Sequence, residues 1–174
     1  IDEAYVDFGG ESAAPLIAEH PNLLVVQTMS KSRALAGLRV GYALGDEGLI
    51  EALRRIKDSF NSYPLGRIAQ AGAVASVRDD SYFRESCARV VANREAMTGA
   101  LAGLGFEVLP SSANFVFARH PAMSGAALAA GLRERAVLVR HFAKPRPSDY
   151  LRVTVGTPTD TRRLADAVAG VLRP

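Results

Sequence analysis

Cysteine is nearly absent from this chain of 174 residues: a single Cys87 excludes an internal disulfide. Set among Val90, Val91 and Met97, it is expected as a small core residue on a helix, with nothing marking it as a nucleophile. Histidine is equally sparse. His20, His120 and His141 lie far apart, with no cysteine or carboxylate at ligand spacing, so no metal site is expected. Long apolar runs are missing too; none approaches the roughly 18–20 residues of a membrane helix, and the first residues lack the basic-then-apolar pattern of a secretion signal. The expectation is a cytoplasmic protein with no membrane partner. Excess charge of either sign is small, at +3. The basic side chains are dispersed and form no stripe interleaved with aromatics, so nucleic acid is not an expected partner. Gly99, Gly103 and Gly105 fall at a helix end and do not follow a strand, which excludes a dinucleotide fingerprint. Internal repeats and low-complexity stretches are absent.

What is present is a chain 48% apolar and 22% charged, able to bury one sizeable core or one core plus a small second domain. It opens on Ile1-Asp2-Glu3-Ala4-Tyr5-Val6, which reads as the middle of a buried strand with no turn or cap ahead of it, as if cut from something longer. A short helix over 12–20 follows, then a strand over 22–29 whose unbroken apolar centre predicts burial on both faces. A strand over 39–44 and a helix capped by Asp46 come next. Residues 65–77 are Ala-rich and helical. From Asp79, Phe83, Cys87, Val90, Met97, Leu101 and Leu104 recur at helical spacing, predicting one long amphipathic helix that ends at Gly103 and Gly105. Beyond it short strands are expected at 106–109, 114–118, 137–139 and 151–155, with helices over 124–135 and 158–172. The class is therefore α/β, in two zones joined by the long helix: 1–90, and a smaller α+β zone over 91–174.

The chemistry gathers around Thr28-Met29-Ser30-Lys31-Ser32, at the end of a predicted buried strand, where loops of an α/β sheet meet ligands. Arg39 follows eight residues on, after Leu35-Ala36-Gly37, and the two cations could flank an anion. A pyridoxal-phosphate enzyme needs an amine, a carboxylate against the pyridine nitrogen, and phosphate anchors. Lys31, Asp2, and Ser30 with Arg39 answer to these in turn, and Tyr5 could bond the ring hydroxyl. Taken singly, Lys31 also fits a solvated loop lysine and Asp2 an exposed strand end.

Together, Asp2-Glu3-Ala4-Tyr5 and Thr28-Met29-Ser30-Lys31-Ser32-Arg33-Ala34-Leu35-Ala36-Gly37-Leu38-Arg39-Val40-Gly41 resemble the fold-type I aminotransferases, and among them the histidinol-phosphate aminotransferase family. The resemblance runs on through Ser112-Ala113-Asn114-Phe115 and Leu151-Arg152-Val153-Thr154-Val155-Gly156-Thr157, so it covers essentially the whole chain. It implies the C-terminal part of a pyridoxal 5′-phosphate-dependent transferase fold: a remnant of the large domain's mostly parallel sheet, and a small C-terminal domain. Lys31 would be the catalytic lysine that carries the cofactor. Asp2, Tyr5, Ser30 and Arg39 would complete the cofactor site, and Arg152 with Asn114 would hold substrate. The implied partners are an amino donor, 2-oxoglutarate and a second copy of the chain.

The family's N-terminal half, with its glycine-containing phosphate loop and stacking aromatic, has no counterpart in these residues. The chain alone is thus expected to lack useful turnover. Arg140-His141 with Lys144 and Arg146 forms a second basic cluster; Arg140 could receive a substrate phosphate, or the cluster could be a solvated loop. An aromatic amino-acid aminotransferase or a threonine-phosphate decarboxylase would look much the same, and a non-catalytic regulatory domain of this type is the reading from a different class.

Overall fold

A computed structural model of the chain describes residues 1–173. The chain forms two compact units, Ile1–Cys87 and Ala88–Pro174. No helix among the described residues is long and apolar enough to cross a membrane.

In the first unit, β1 (Leu24–Thr28) and β2 (Gly41–Gly45) pair antiparallel from Leu24↔Gly45 to Thr28↔Gly41. The class is α/β as expected, but parallel pairing here is limited to one bridge, Asp2↔Val26. A turn-rich connection can return a strand antiparallel, whereas a parallel return needs a longer crossover. The predicted opening strand shrinks to that bridge. The Asp2 carboxylate accepts from the Ala4 amide at 2.9 Å, an Asx turn that bends the chain into a 3₁₀ turn at Val6–Phe8. The helix predicted over 12–20 is a second 3₁₀ turn, Ala14–Ala18, with Pro15 at its start. Burial of β1 on both faces is not observed: Val25 is inaccessible while Val26 is 44% exposed. The core of this unit is built from Phe8, Val25, Met29, Val40 and Cys87. Helix α1 (Glu47–Phe60) begins as expected at Asp46, whose side chain accepts from the Gly48 amide at 2.9 Å. Helix α2 (Arg67–Arg78) follows, and α3 (Asp80–Gly103) is the predicted long helix.

The second unit is a four-stranded antiparallel sheet in the order β3-β4-β6-β5, formed by Glu107–Val108, Phe115–Arg119, Leu151–Thr154 and Arg140–His141. Alternation along β4 and β6 explains its two faces. Val116 and Ala118 oppose Val153 and Leu151, and they close one core with Met97, Leu101, Leu128, Leu132, Leu164 and Val168. Helix α4 (Gly125–Glu134) is capped by Ser124, and α5 (Pro158–Leu172) by a reciprocal box between Thr157 and Asp160. The strand predicted over 137–139 is instead β5, three residues later. Ala136 takes a positive φ of 57° and the Val137 amide returns to the Leu132 carbonyl at 2.9 Å, so these residues finish the helix before a strand can start.

Candidate active site

In the first unit the β1–β2 ribbon delivers Ser30 and Arg39 to one end. Beyond the pair Thr28↔Gly41, the Met29 amide donates to the Val40 carbonyl at 3.1 Å, and Ser30 and Arg39 are the next residues outward. Ser30 is anchored by Thr28: its amide donates to Thr28 Oγ1 at 3.1 Å, and Thr28 Oγ1 donates to Ser30 Oγ at 3.0 Å. Arg39 holds a left-handed backbone, φ 56°, with Nη1 donating to the Ala36 carbonyl at 3.0 Å and its side chain otherwise exposed. Lys31 is exposed on the loop between them, its Nζ 5.3 Å from the centroid of the Tyr5 ring. The parallel bridge accounts for that contact. Asp2 lies beside Val26, with the Glu3 amide donating to the Val26 carbonyl at 2.8 Å, so residues past Asp2 run the same way as residues past Val26. Tyr5 and Lys31 thereby reach the same end of the strands. Asp2 is exposed, one carboxylate oxygen committed to its own turn.

A residue that the motif reading passed over anchors this arrangement. Glu3 is 7% exposed and accepts from the Ala13 amide at 2.6 Å, from Ser12 Oγ at 2.8 Å and from Gln27 Nε2 at 2.8 Å. Burial pushes its carboxyl upward, but these three bonds outweigh that and hold it below the usual value. Gln27 Oε1 in turn accepts from the Tyr42 hydroxyl at 2.6 Å. Burial and then the charge of Asp7 push the Tyr42 phenol up, so it stays a donor. Period-two alternation turns Glu3 away from the face that Asp2 occupies. A second carboxylate directly after Asp2, between Ile1 and Val6, was the signal available in sequence.

In the second unit, Arg140 and Arg152 stand directly opposite each other across β5 and β6. Like charges so placed repel, and an anion between or beside them relieves this. Arg152 Nε is buried with no hydrogen-bond partner, a donor in want of an acceptor. Its guanidinium carbon lies 5.0 Å from the Phe115 ring centroid, and that of Arg140 lies 4.9 Å from the Phe142 ring. The same sheet face carries Phe117, whose ring lies 6.1 Å from Phe142 and 6.4 Å from Tyr150, an aromatic layer that sequence reading did not pick out. Asn114 precedes β4, and its carbonyl accepts from the Val155 amide at 2.9 Å, placing it at the far end of the β4–β6 pair from β5. His141 Nε2 contacts the Ser148 carbonyl at 2.8 Å, while Lys144 and Arg146 are exposed.

The family description "Aminotransferase class I and II" matches residues 1–168. The chain belongs to that family. The chain is 64% identical over 169 residues to histidinol-phosphate aminotransferase 2 of Thiobacillus denitrificans, covering 97% of the chain and 47% of that protein. It superposes on the crystal structure of the histidinol-phosphate aminotransferase from Clostridium acetobutylicum with a TM-score of 0.89 at 26% identity, covering 98% and 53% of the two chains. The Sinorhizobium meliloti histidinol-phosphate aminotransferase, solved in complex with pyridoxal-5′-phosphate, gives 0.83 at 25% identity, with coverage of 98% and 47%. The chain spans about half the length of the curated relatives it matches.

Proposed function

We propose that this chain is the C-terminal part of a pyridoxal-phosphate-dependent aminotransferase that transfers the amino group of histidinol phosphate to 2-oxoglutarate in histidine biosynthesis, as a cytoplasmic homodimer. Residues 1–90 belong to its large cofactor-binding domain and 91–174 to its small domain. The observation that carries the reading is Lys31: an exposed amine at the end of β1, over the Tyr5 ring, on a loop flanked by Ser30 and Arg39.

The donor set fits the cofactor. A primary amine meets an aldehyde, a hydroxyl with a guanidinium meets a phosphate, and a carboxylate meets a pyridinium. Bound there, pyridoxal phosphate supplies an electron sink for the substrate's α-carbon. Lys31 would hold the cofactor and would move the proton at that carbon as general base. Asp2 keeps the ring nitrogen protonated, Tyr5 donates to the ring oxygen, and Ser30 and Arg39 hold the phosphate. Arg152 receives a substrate carboxylate through its unpartnered Nε and terminal nitrogens, since an arginine fork matches two oxygens. Asn114 would contact substrate from the end of the β4–β6 pair away from β5, and Arg140 receives the phosphate of the amino donor; its position opposite Arg152 supports a site for an anionic substrate.

The test uses a protein of full family length carrying this sequence. Lys31→Ala should abolish the absorbance of lysine-bound cofactor, and a retained band assigns the attachment to another residue. Arg140→Ala should lower turnover of histidinol phosphate more than that of phenylalanine; equal losses remove the phosphate role.

A further inference from the structure

Two contacts brace the Lys31 loop without touching the groups assigned to cofactor or substrate. On one side, Ser32 Oγ donates to Asp7 Oδ2 at 2.5 Å. Asp7 lies in the turn Val6–Phe8, which Tyr5 precedes as N-cap and which Phe8, 3% exposed, roots in the core. Lys31 and Ser32 are adjacent in the chain, and Tyr5 and Asp7 are two residues apart. The Asp7–Ser32 bond and the Lys31–Tyr5 contact therefore close one ring of interactions between the turn and the loop.

On the other side, Arg33 Nη1 donates to the Ser76 carbonyl of α2, and its guanidinium lies 3.8 Å from the Phe83 ring centroid. The next residue, Ala34, has a φ of 55°, its amide donating to the Lys31 carbonyl at 3.0 Å, and the Leu35 amide returns to the Met29 carbonyl at 2.9 Å. A left-handed alanine persists where surrounding contacts over-determine it. Ser32 and Arg33 supply those contacts, one on each side.

We propose that Asp7 is a positioning residue for Lys31: through the Ser32 hydroxyl it fixes the loop so that the amine stays over Tyr5, with Arg33 holding the opposite wall. The inference rests on Lys31 being the cofactor lysine, while the clamp itself is a property of the chain. Losing a hydrogen bond to a charged group corresponds to a change of about tenfold or more in the populations it controls.

The experiment compares Asp7→Ala, Ser32→Ala, the double variant and Asp7→Asn in a protein of full family length. Amide hydrogen exchange at residues 31–35 is read without cofactor, and the rate of pyridoxal-phosphate release with it. Each single alanine variant should speed exchange at 31–35 by about tenfold, leave exchange in α5 unchanged, and speed cofactor release by a similar factor. The double variant should be no worse than either single one, because both remove the same bond. Asp7→Asn keeps a carbonyl acceptor and should recover most of the loss. Unchanged exchange at 31–35 overturns the clamp, as do multiplied losses in the double variant or an Asp7→Asn as defective as Asp7→Ala. If Asp7→Ala does not fold, Ser32→Ala removes the same bond by deleting one oxygen. Loosened exchange in the variants of a parent that binds no pyridoxal phosphate sustains the clamp and refutes the proposed function instead.

Discussion

Replacing Glu3 tests whether the acid-bearing turn at the front of the chain is held by charge. Its carboxylate takes three hydrogen bonds from segments far apart in sequence, Ser12, Ala13 and Gln27, and is 7% exposed. Glu3→Ala strands all three donors; at about 1 kcal/mol for each bond the loss is roughly 3 kcal/mol at neutral pH. Glu3→Gln retains one acceptor oxygen but turns an amide toward donors, so about 1–2 kcal/mol is expected. The pH dependence separates charge from shape. The folded carboxyl titrates below the ordinary 4.5, so its contribution is complete above that value and is lost as pH falls through the depressed one. Urea unfolding followed by circular dichroism, repeated from pH 7 downward, should show the parent's advantage over Glu3→Gln shrinking once pH drops beneath about 4.5, the ordinary value. Parallel stability profiles through that range would refute the reasoning, because a neutral glutamine cannot track the titration of a carboxylate.

The second unit offers sharper steric tests. A Cβ at Gly125 would lie 2.6 Å from the Ser148 carbonyl oxygen, so Gly125→Ala should cost about 1–3 kcal/mol by overpacking against backbone, read as a lowered Tm. Leu128, inaccessible at the centre of the core, should lose about 2–5 kcal/mol as alanine in denaturant titration. Arg152→Lys keeps the charge and discards the fork and its unpartnered Nε, so the KM for 2-oxoglutarate should rise roughly ten- to a hundredfold in the protein of full family length, with its fold unchanged.

The α-helices were legible because their signals are local, whereas the helix expected over 12–20 shrank to a 3₁₀ turn. Asp46 announces its cap, and the apolar spacing after Asp79 needs no knowledge of the rest of the chain. The lysine loop was legible as a motif, and the ribbon's end explains why Ser30 and Arg39 travel with it. What holds that loop was not. Ser32 finds Asp7 across 25 positions, and Arg33 finds Ser76 across 43, distances over which no periodicity speaks. Strand limits failed for a related reason: the first strand ends where the Asp2 side chain captures the Ala4 amide, an event that competes with pairing and leaves no mark in an apolar pattern.

Register carries the remaining step, from two arginines far apart in sequence to one face of a sheet. In sequence Arg140 belongs to a basic cluster beside a predicted strand, and nothing there says which way it faces. Once α4's end absorbs Val137 and the strand begins at Arg140, pairing with Arg152 is fixed, and directly opposed residues of a ladder share a face. That face also bears the Phe117, Phe142 and Tyr150 rings, while Leu151 and Val153 on the other side are committed to the core. The ladder thus holds two like charges together at some expense to folding, against aromatic faces that favour cations. An anion beside the pair would offset that repulsion, and the unpartnered Arg152 Nε is a buried donor on that strand.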